Sequence, residues 1–106
     1  MKKYFLFLFF LLYSFSLFSQ NKYTISGYVQ EEASGENLIG VSIYNKASQQ
    51  GTTSNQYGFY SITLEKGSYE IIYSFIGMNT NTKKINLNKN IRLNISLSEK
   101  SVLSEE

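Results

Sequence analysis

Hydrophobic residues recur at every second position along most of the chain, which is the spacing of a β-strand with one buried and one exposed face. The clearest case is residues 91–98, IRLNISLS, in which apolar and polar residues alternate throughout. The apolar residues of this segment are predicted to face a core, and the polar residues are predicted to face water. Further strands are predicted over residues 22–30, 38–45, 58–64, 68–76 and 80–87.

The same alternation predicts which residues of the other strands face the core. Inward positions are Tyr23, Ile25, Gly27 and Val29 in the first strand, Ile39, Val41 and Ile43 in the second, and Tyr60, Ile62 and Leu64 in residues 58–64. Residues 68–76 are apolar on both faces, so a central position in a sheet is expected. Residues 80–87 carry Lys83 and Lys84 and are expected at a sheet edge, where charged side chains discourage further pairing.

Turn-forming residues separate these strands at positions 34–37, 66–68 and 88–90. Short strands with turns at such intervals are typical of an antiparallel β-sandwich. No helix of any length is predicted. The fold expected from the pattern alone is therefore an all-β sandwich of six or seven strands.

Residues 51–60, GTTSNQYGFY, have two spaced glycines that suggest a phosphate-binding loop. Such a loop needs a helix after it and a Lys-Ser or Lys-Thr pair at its end, whereas Gly58 here opens a predicted strand. We interpret Gly51 as a change of chain direction, Thr52 and Thr53 as a brief edge strand, and Gly58 as a turn residue with positive φ. All the glycines are predicted to be structural turn positions: Gly27, Gly35, Gly40, Gly51, Gly58, Gly67 and Gly77.

Residues 1–20, MKKYFLFLFFLLYSFSLFSQ, are set apart from this pattern. Two lysines precede a largely apolar run over residues 4–18, which is shorter than the roughly 20 residues that span a bilayer. The small residues Ser16 and Ser19 suit a processing site. We predict a signal peptide over residues 1–19, cleaved after Ser19, with an uncleaved membrane anchor as the alternative. No membrane span is expected after cleavage.

Composition removes most catalytic chemistry. The chain has no His and no Cys, and its acidic residues are all Glu. It therefore lacks an imidazole base, a thiolate nucleophile and the side chains that form most zinc sites. We predict that the protein is not an enzyme and uses no cofactor or metal. Loss of Lys2 and Lys3 with the signal would leave eight basic against eight acidic groups, so nucleic acid is not an expected partner.

A succession of short motifs resembles the carboxypeptidase-regulatory-like domain of Bacteroidetes outer-membrane proteins. The motifs are residues 25–29 ISGYV, 35–41 GENLIGV, 51–53 GTT, 58–60 GFY, 67–69 GSY and 73–77 YSFIG. The resemblance covers residues 23–98. The sequence departs from the family pattern at Asn37, Asn55 and Met78, where Pro, Asp and Tyr are usual. The resemblance implies a transthyretin-like Greek-key sandwich of seven antiparallel strands over residues 20–98.

The resemblance also implies a location. Such domains stand most often at the N-terminus of SusC-type TonB-dependent receptors, before the energy-coupling box, plug and barrel. Residues 99–106, EKSVLSEE, are similar to the acidic lead-in to that box. The expected protein is a periplasmic spacer or docking module on the inner side of the outer membrane. Its expected partners are the plug and barrel of the same chain or other envelope proteins, and either a receptor fragment or a free-standing domain fits the sequence.

An alternative function is a secreted or cell-surface binding module for protein or carbohydrate, alone or fused to other domains. Its candidate surface-binding residues are Tyr44, Tyr57 and Tyr60, since tyrosine offers an apolar ring face and a polar tip to a sugar. The competing interpretation of these tyrosines is that they are part-buried strand residues that fill the sandwich.

Overall fold

A computed structural model describes residues 21–100, and within that range the chain is all-β without a helix. The strands are β1 (Lys22–Glu31), β2 (Ser42–Asn45), β3 (Gly51–Thr53), β4 (Phe59–Glu65), β5 (Gly67–Ser74), β6 (Asn81–Leu87), β7 (Ile91–Arg92) and β8 (Ile95–Leu97). They form two four-stranded sheets that enclose a shared core, which confirms the predicted β-sandwich. The predicted signal peptide, residues 1–19, lies outside the described residues.

The first sheet is built around β1, with β4 on one side and β7 and β8 in succession on the other. The second sheet has the order β3-β2-β5-β6. The central position predicted for residues 68–76 is confirmed, as are the edge positions predicted for Thr52-Thr53 and for residues 80–87. Along the chain, β1 and β4 pair antiparallel in one sheet, and β2, β3, β5 and β6 pair antiparallel in the other.

The core lies between the two sheets and is formed by the residues that the hydrophobic alternation predicts to face inward. Its buried hydrophobic members are Ile25, Val29, Val41, Ile43, Tyr60, Ile62, Leu64, Ile71, Tyr73, Ile85, Leu87, Ile95 and Leu97. Both sheets contribute to this cluster, so it holds them together through removal of apolar surface from water. Every predicted inward residue with a side chain except Ile39 either belongs to the cluster or packs against it.

The prediction that Ile39 faces the core is wrong, because its side chain is 59% exposed. The strand predicted over residues 38–45 begins only at Ser42. Residues 38–41 instead follow a loop in which Gly40 has a φ of 81°. The buried Ser54 hydroxyl holds this loop, since Ser54 Oγ accepts from Val41 N at 2.9 Å and donates to Leu38 O at 2.7 Å.

The predicted last strand, residues 91–98, is interrupted at Leu93 and Asn94, and both halves run parallel to β1. This parallel pairing departs from the purely antiparallel arrangement that was expected. At the interruption Leu93 N donates to Ser26 O at 2.7 Å, and Tyr28 N donates to Asn94 Oδ1 at 2.9 Å. An amide side chain thus replaces one backbone acceptor, so β1 keeps its hydrogen bonds across the break.

Three of the predicted turn glycines lie in strands rather than turns. Gly27 is inside β1, where a Cβ would collide with the Leu93 carbonyl oxygen. Gly51 opens β3 and Gly67 opens β5. The change of direction assigned to Gly51 is made by Gln49, whose φ is 64°. Gly27 and Gly51 are required by close backbone packing, which the sequence pattern does not reveal.

Candidate functional site

The loops at one end of the sandwich form a single connected surface. We call residues 31–41, 54–58, 75–80 and 98–100 the loop end. Backbone hydrogen bonds join its segments directly or through the end of β8: Gly40 N donates to Ser54 O, Glu32 N to Leu97 O, Asn79 N to Ser98 O and Lys100 N to Gly77 O, at 2.8 to 3.0 Å. Segments that are distant in sequence therefore lie side by side here.

Every described glycine with positive φ lies at the loop end: Gly35, Gly40, Gly58 and Gly77. Gly58 shows why one such position needs glycine. Its φ is 78°, and a Cβ there would lie 2.7 Å from the Cβ of Asn37. Any other residue would meet both an unfavourable backbone conformation and a steric clash. The φ of Gly58 has the positive sign expected of a turn residue.

Polar side chains fix the shape of the loop that carries Tyr57. Asn55 Oδ1 accepts from Tyr57 N at 2.9 Å and from Phe59 N at 3.1 Å, which closes the turn on itself. Asn37 Nδ2 donates to Tyr57 O at 2.9 Å and connects this turn to the loop after β1. The loop is therefore held in one conformation by its own side chains and by its neighbour.

A second set of contacts holds the end of the described chain. Met78 and Glu99 form an antiparallel bridge between the β5–β6 loop and the residues that follow β8. Asn79 Nδ2 donates to Ser98 Oγ at 3.0 Å alongside it. The first two residues of the predicted tail, Glu99 and Lys100, are thus attached to the sandwich. Residues 101–106 lie outside the described part of the chain.

Large hydrophobic side chains are exposed at the loop end. Ile39 is 59% exposed, Tyr57 is 64% exposed and Ile76 is 90% exposed. Each comes from a different loop, and each loop is tied into the surface by the hydrogen bonds above. Leu38 and Phe75, which directly precede Ile39 and Ile76, pack against the core, whereas these three side chains remain exposed. They are the strongest sign of an interaction surface among the described residues.

Charge is divided between the two ends of the sandwich. The loop end carries Glu31, Glu32, Glu36 and Glu99 with one basic residue, Lys100. The opposite end is formed by the start of β1, the β2–β3 turn, the β4–β5 turn and the β6–β7 turn. Its charged residues are Lys22, Lys46, Lys66 and Lys89 with Glu65, and Glu70 of β5 lies beside Lys46. The domain is thus acidic at the loop end and basic at the other.

The three candidate surface tyrosines are not brought together. Tyr57 is exposed at the loop end. Tyr44 is half-buried on the outer face of the second sheet, in register with Gly51 on one side and Ile72 on the other. The proposed surface role of Tyr60 is wrong, because its side chain is 1% exposed and belongs to the core. Its place in the Tyr60, Ile62, Leu64 alternation required this inward position.

Tyr60 and Tyr73 form a buried hydrogen-bond chain between the sheets. Tyr60 Oη donates to Leu93 O at 2.6 Å, and the two hydroxyl oxygens are 2.8 Å apart. Since Tyr60 gives its only proton to Leu93, Tyr73 must donate to Tyr60. Burial raises the pKa of Tyr73 far above its ordinary value, and the bond to Tyr60 raises it further. Burial also raises the pKa of Tyr60. Both hydroxyls therefore stay neutral and structural.

An exposed aromatic group on the first sheet was not predicted. The rings of Tyr28 and Phe59 meet edge to face, with centroids 5.3 Å apart, and the Arg92 guanidinium lies 5.9 Å from the Phe59 centroid. These residues are neighbours across β4, β1 and β7. Their positions on the polar side of the alternation were the available signal. The group covers the sheet and leaves Tyr28 36% exposed.

The second sheet carries an open groove of about 840 Å³ near the opposite end. Ala47, Tyr69 and Ile85 form its apolar part, and Lys46, Glu70 and Lys84 flank it. Lys46 Nζ lies 3.7 Å from Glu70 Oε1; the Lys46 side chain is exposed and that of Glu70 is partly buried. Within residues 21–100, no three acidic, His or Cys side chains are grouped so as to hold a metal ion. The same residues contain no helix able to cross a membrane.

Comparison of the sequence with known proteins identifies the family of this chain. The profile of the CarboxypepD_reg-like domain matches residues 25–106. The TonB-dependent receptor P39 of Formosa agariphila is 33% identical over 90 residues, which cover 82% of this chain. The matched region makes up 9% of that receptor, so this chain spans a small part of its relative.

Solved structures share the fold at low sequence identity. The Bacillus anthracis TIE protein has a TM-score of 0.58 at 16% identity, covering 74% of this chain and 18% of that one. A DUF3823 family protein from Parabacteroides merdae has a TM-score of 0.55 at 16% identity, covering 76% of this chain and 48% of that one. The group B streptococcus pilus 2b backbone protein has a TM-score of 0.54 at 15% identity, covering 76% of this chain and 42% of that one. Together with the profile match and the receptor relative, this sandwich shows that the chain belongs to the CarboxypepD_reg-like domain family.

Proposed function

We propose that this chain is a non-catalytic accessory domain of a TonB-dependent receptor and that it acts as a docking module. The observation that carries the proposal is the alignment of 82% of the chain with a TonB-dependent receptor at 33% identity. A docking role is favoured over that of a plain spacer by the exposed Ile39, Tyr57 and Ile76 at the loop end. A spacer would need only a stable fold and a polar surface.

The proposed location is the periplasmic face of the outer membrane, reached by export with a signal peptide over residues 1–19. The envelope location is supported by the relationship to a TonB-dependent receptor. N-terminal sequencing of the protein from native cells should find a start at or near Gln20. An intact Met1 terminus in the membrane fraction would contradict the cleaved signal.

Deletion tests the accessory role. Codons 23–98 are removed in frame from the receptor gene that carries this domain, and uptake of its nutrient is measured in the native cell. Impaired uptake is expected, with normal insertion of the receptor barrel measured by surface proteolysis. Unchanged uptake would contradict the proposal.

A second candidate function is the secreted binding module, which the exposure of Tyr57 favours. Tyr44 is a secondary contact in this proposal because it is only half-buried. The exported chain would be titrated with a panel of glycans by calorimetry. Binding at millimolar or lower concentration that is lost in Tyr57→Ala would support this function, and heat signals that are equal in both proteins would exclude Tyr57 as a sugar contact.

A further inference from the structure

We propose that the loop end is the docking face of this domain, and that it binds a protein surface with an apolar centre and a rim of Lys or Arg. This inference rests on the proposed accessory role and adds the face and the chemistry of the partner. It is carried by the apolar side chains, the fixed loop conformations, the charge of the loop end and the path of the chain.

Ile39, Tyr57 and Ile76 supply the apolar centre. Contact with a partner would remove the apolar surface of these side chains from water, which favours association. A tyrosine is well suited to such a position because its ring packs while its hydroxyl stays hydrated or bonded. The partner surface must therefore be apolar where it meets these three residues.

The loops that carry these side chains are already fixed. Ser54 ties the 31–41 segment to the turn after β3, and Asn37 and Asn55 hold the backbone around Tyr57. The bridge between Met78 and Glu99 holds the loop that carries Ile76. A surface with fixed loops loses less conformational entropy on binding than one that must become ordered, which favours recognition.

The charge around this centre selects the partner. The loop end that carries these apolar residues also carries Glu31, Glu32, Glu36 and Glu99, and Lys100 is its single basic residue. A basic protein surface would be steered to this end and held in register by it. Anionic lipid headgroups would be repelled by the same carboxylates, so the charges favour a protein over a membrane surface.

The chain leaves the sandwich at the same face. Lys100 N donates to Gly77 O beside Ile76, so residues after position 100 start from the loop end. A receptor domain joined through them would be tethered next to this surface. Tethering raises the effective concentration of a partner and allows a modest interface to stay occupied.

Site-specific photocrosslinking in native cells tests the proposal. The photoreactive residue p-benzoylphenylalanine replaces Tyr57 or Ile76 at the loop end, and Lys66 or Lys89 at the opposite end, in the full-length protein. Crosslinked peptides are identified by mass spectrometry after irradiation. We expect adducts from positions 57 and 76 to exceed those from 66 and 89 by at least about fivefold, with Lys or Arg beside apolar residues in the partner peptide.

Charge reversal provides the matched control. Glu32→Lys with Glu36→Lys should lower the adduct yield from position 76 by at least about fivefold, because a basic partner is then repelled. Lys66→Glu with Lys89→Glu, at the opposite end, should leave that yield unchanged. All four positions are exposed, and wild-type accumulation of each variant confirms that it folds.

The proposal is overturned by equal yields from both ends, by no adduct at the loop end, by an acidic partner peptide, by adducts to phospholipid alone, or by a yield that charge reversal does not change. The deletion of residues 23–98 separates this result from failure of the accessory role. Lost uptake without a loop-end preference would contradict only the docking face. Unchanged uptake would contradict the accessory role itself.

Discussion

At the scale of single residues, two close contacts decide how the sheets meet. Gly27 allows the Leu93 carbonyl to approach β1, and that carbonyl accepts the hydroxyl proton of Tyr60. Tyr73, from the second sheet, donates to Tyr60 in turn. A strand glycine, an interrupted strand and a pair of buried tyrosines thus form one structural unit. The sequence pattern places each residue on the inner face but does not show their contact.

Gly27→Ala should destabilise the domain by about 1 to 3 kcal/mol or more, because the new Cβ would overlap the Leu93 carbonyl oxygen. Gly67→Ala is the matched control. Gly67 has no positive φ, and a Cβ there would meet only the Tyr69 ring at ordinary contact distance. Its effect in urea unfolding should stay within about 0.5 kcal/mol. Equal losses at the two positions would contradict the close approach at Gly27.

The direction of the hydrogen bonds in the tyrosine pair predicts that Tyr60→Phe and Tyr73→Phe lower the stability of the domain by different amounts. Tyr60→Phe leaves the Leu93 carbonyl and the Tyr73 hydroxyl without their partners, and should cost about 1 to 3 kcal/mol. Tyr73→Phe removes only a donor to Tyr60, which still donates to Leu93, and should cost about 0.5 to 1.5 kcal/mol. Urea unfolding of both variants measures the difference. A larger loss in Tyr73→Phe would reverse the assigned order.

The same pair should couple stability to alkaline pH. Burial raises the pKa of Tyr60 and Tyr73 in the folded protein above the unfolded value, which is near 10. The folded state therefore holds these protons more tightly, so their contribution is complete below about pH 10 and declines as the pH rises beyond it. The urea midpoint should fall above that pH, and less steeply in the variant with Tyr60→Phe and Tyr73→Phe. Identical slopes would contradict this linkage.

At the scale of elements, the strands were largely predictable and their partners were not. Period-two alternation located the strands and correctly predicted most of the residues that face the core, because burial of one strand face is a local property. The position of Ile39 was predicted wrongly because the Ser54 hydroxyl, fifteen residues further on, hydrogen-bonds to Leu38 and Val41 and holds residues 38–41 in a loop. The parallel pairing of β7 and β8 with β1 depends on the path of the whole chain, which no local pattern encodes.

The short strand β8 should be essential to the fold although it has few residues. Leu97 is 1% exposed and packs in the core, so Leu97→Ala should cost about 2 to 5 kcal/mol. Ser96, one position away, points to water, and Ser96→Ala should stay within about 0.5 kcal/mol. Urea denaturation distinguishes them. Equal midpoints would show that β8 is not part of the cooperative core.

At the scale of the whole molecule, the sandwich has two unlike ends. The loop end is acidic and carries exposed apolar side chains, and the opposite end is basic. Motifs such as GENLIG and SFIG indicated the family from sequence, but their assembly at one end follows from strand order. The sequence therefore could not predict that these loops form one surface. Tyr57 was the single member identified in advance, through its aromatic ring.

The most direct test of the account is uptake by a receptor whose loop end has been made polar. Ile39→Ser, Tyr57→Ser and Ile76→Ser are combined in the full-length protein, and all three side chains are exposed, so the fold should be retained. The matched control changes Lys22, Lys66 and Lys89 to Ser at the opposite end. Nutrient uptake should fall as far in the loop-end variant as in the deletion of residues 23–98, and the control should equal wild type. Wild-type uptake by a folded loop-end variant would contradict the docking function.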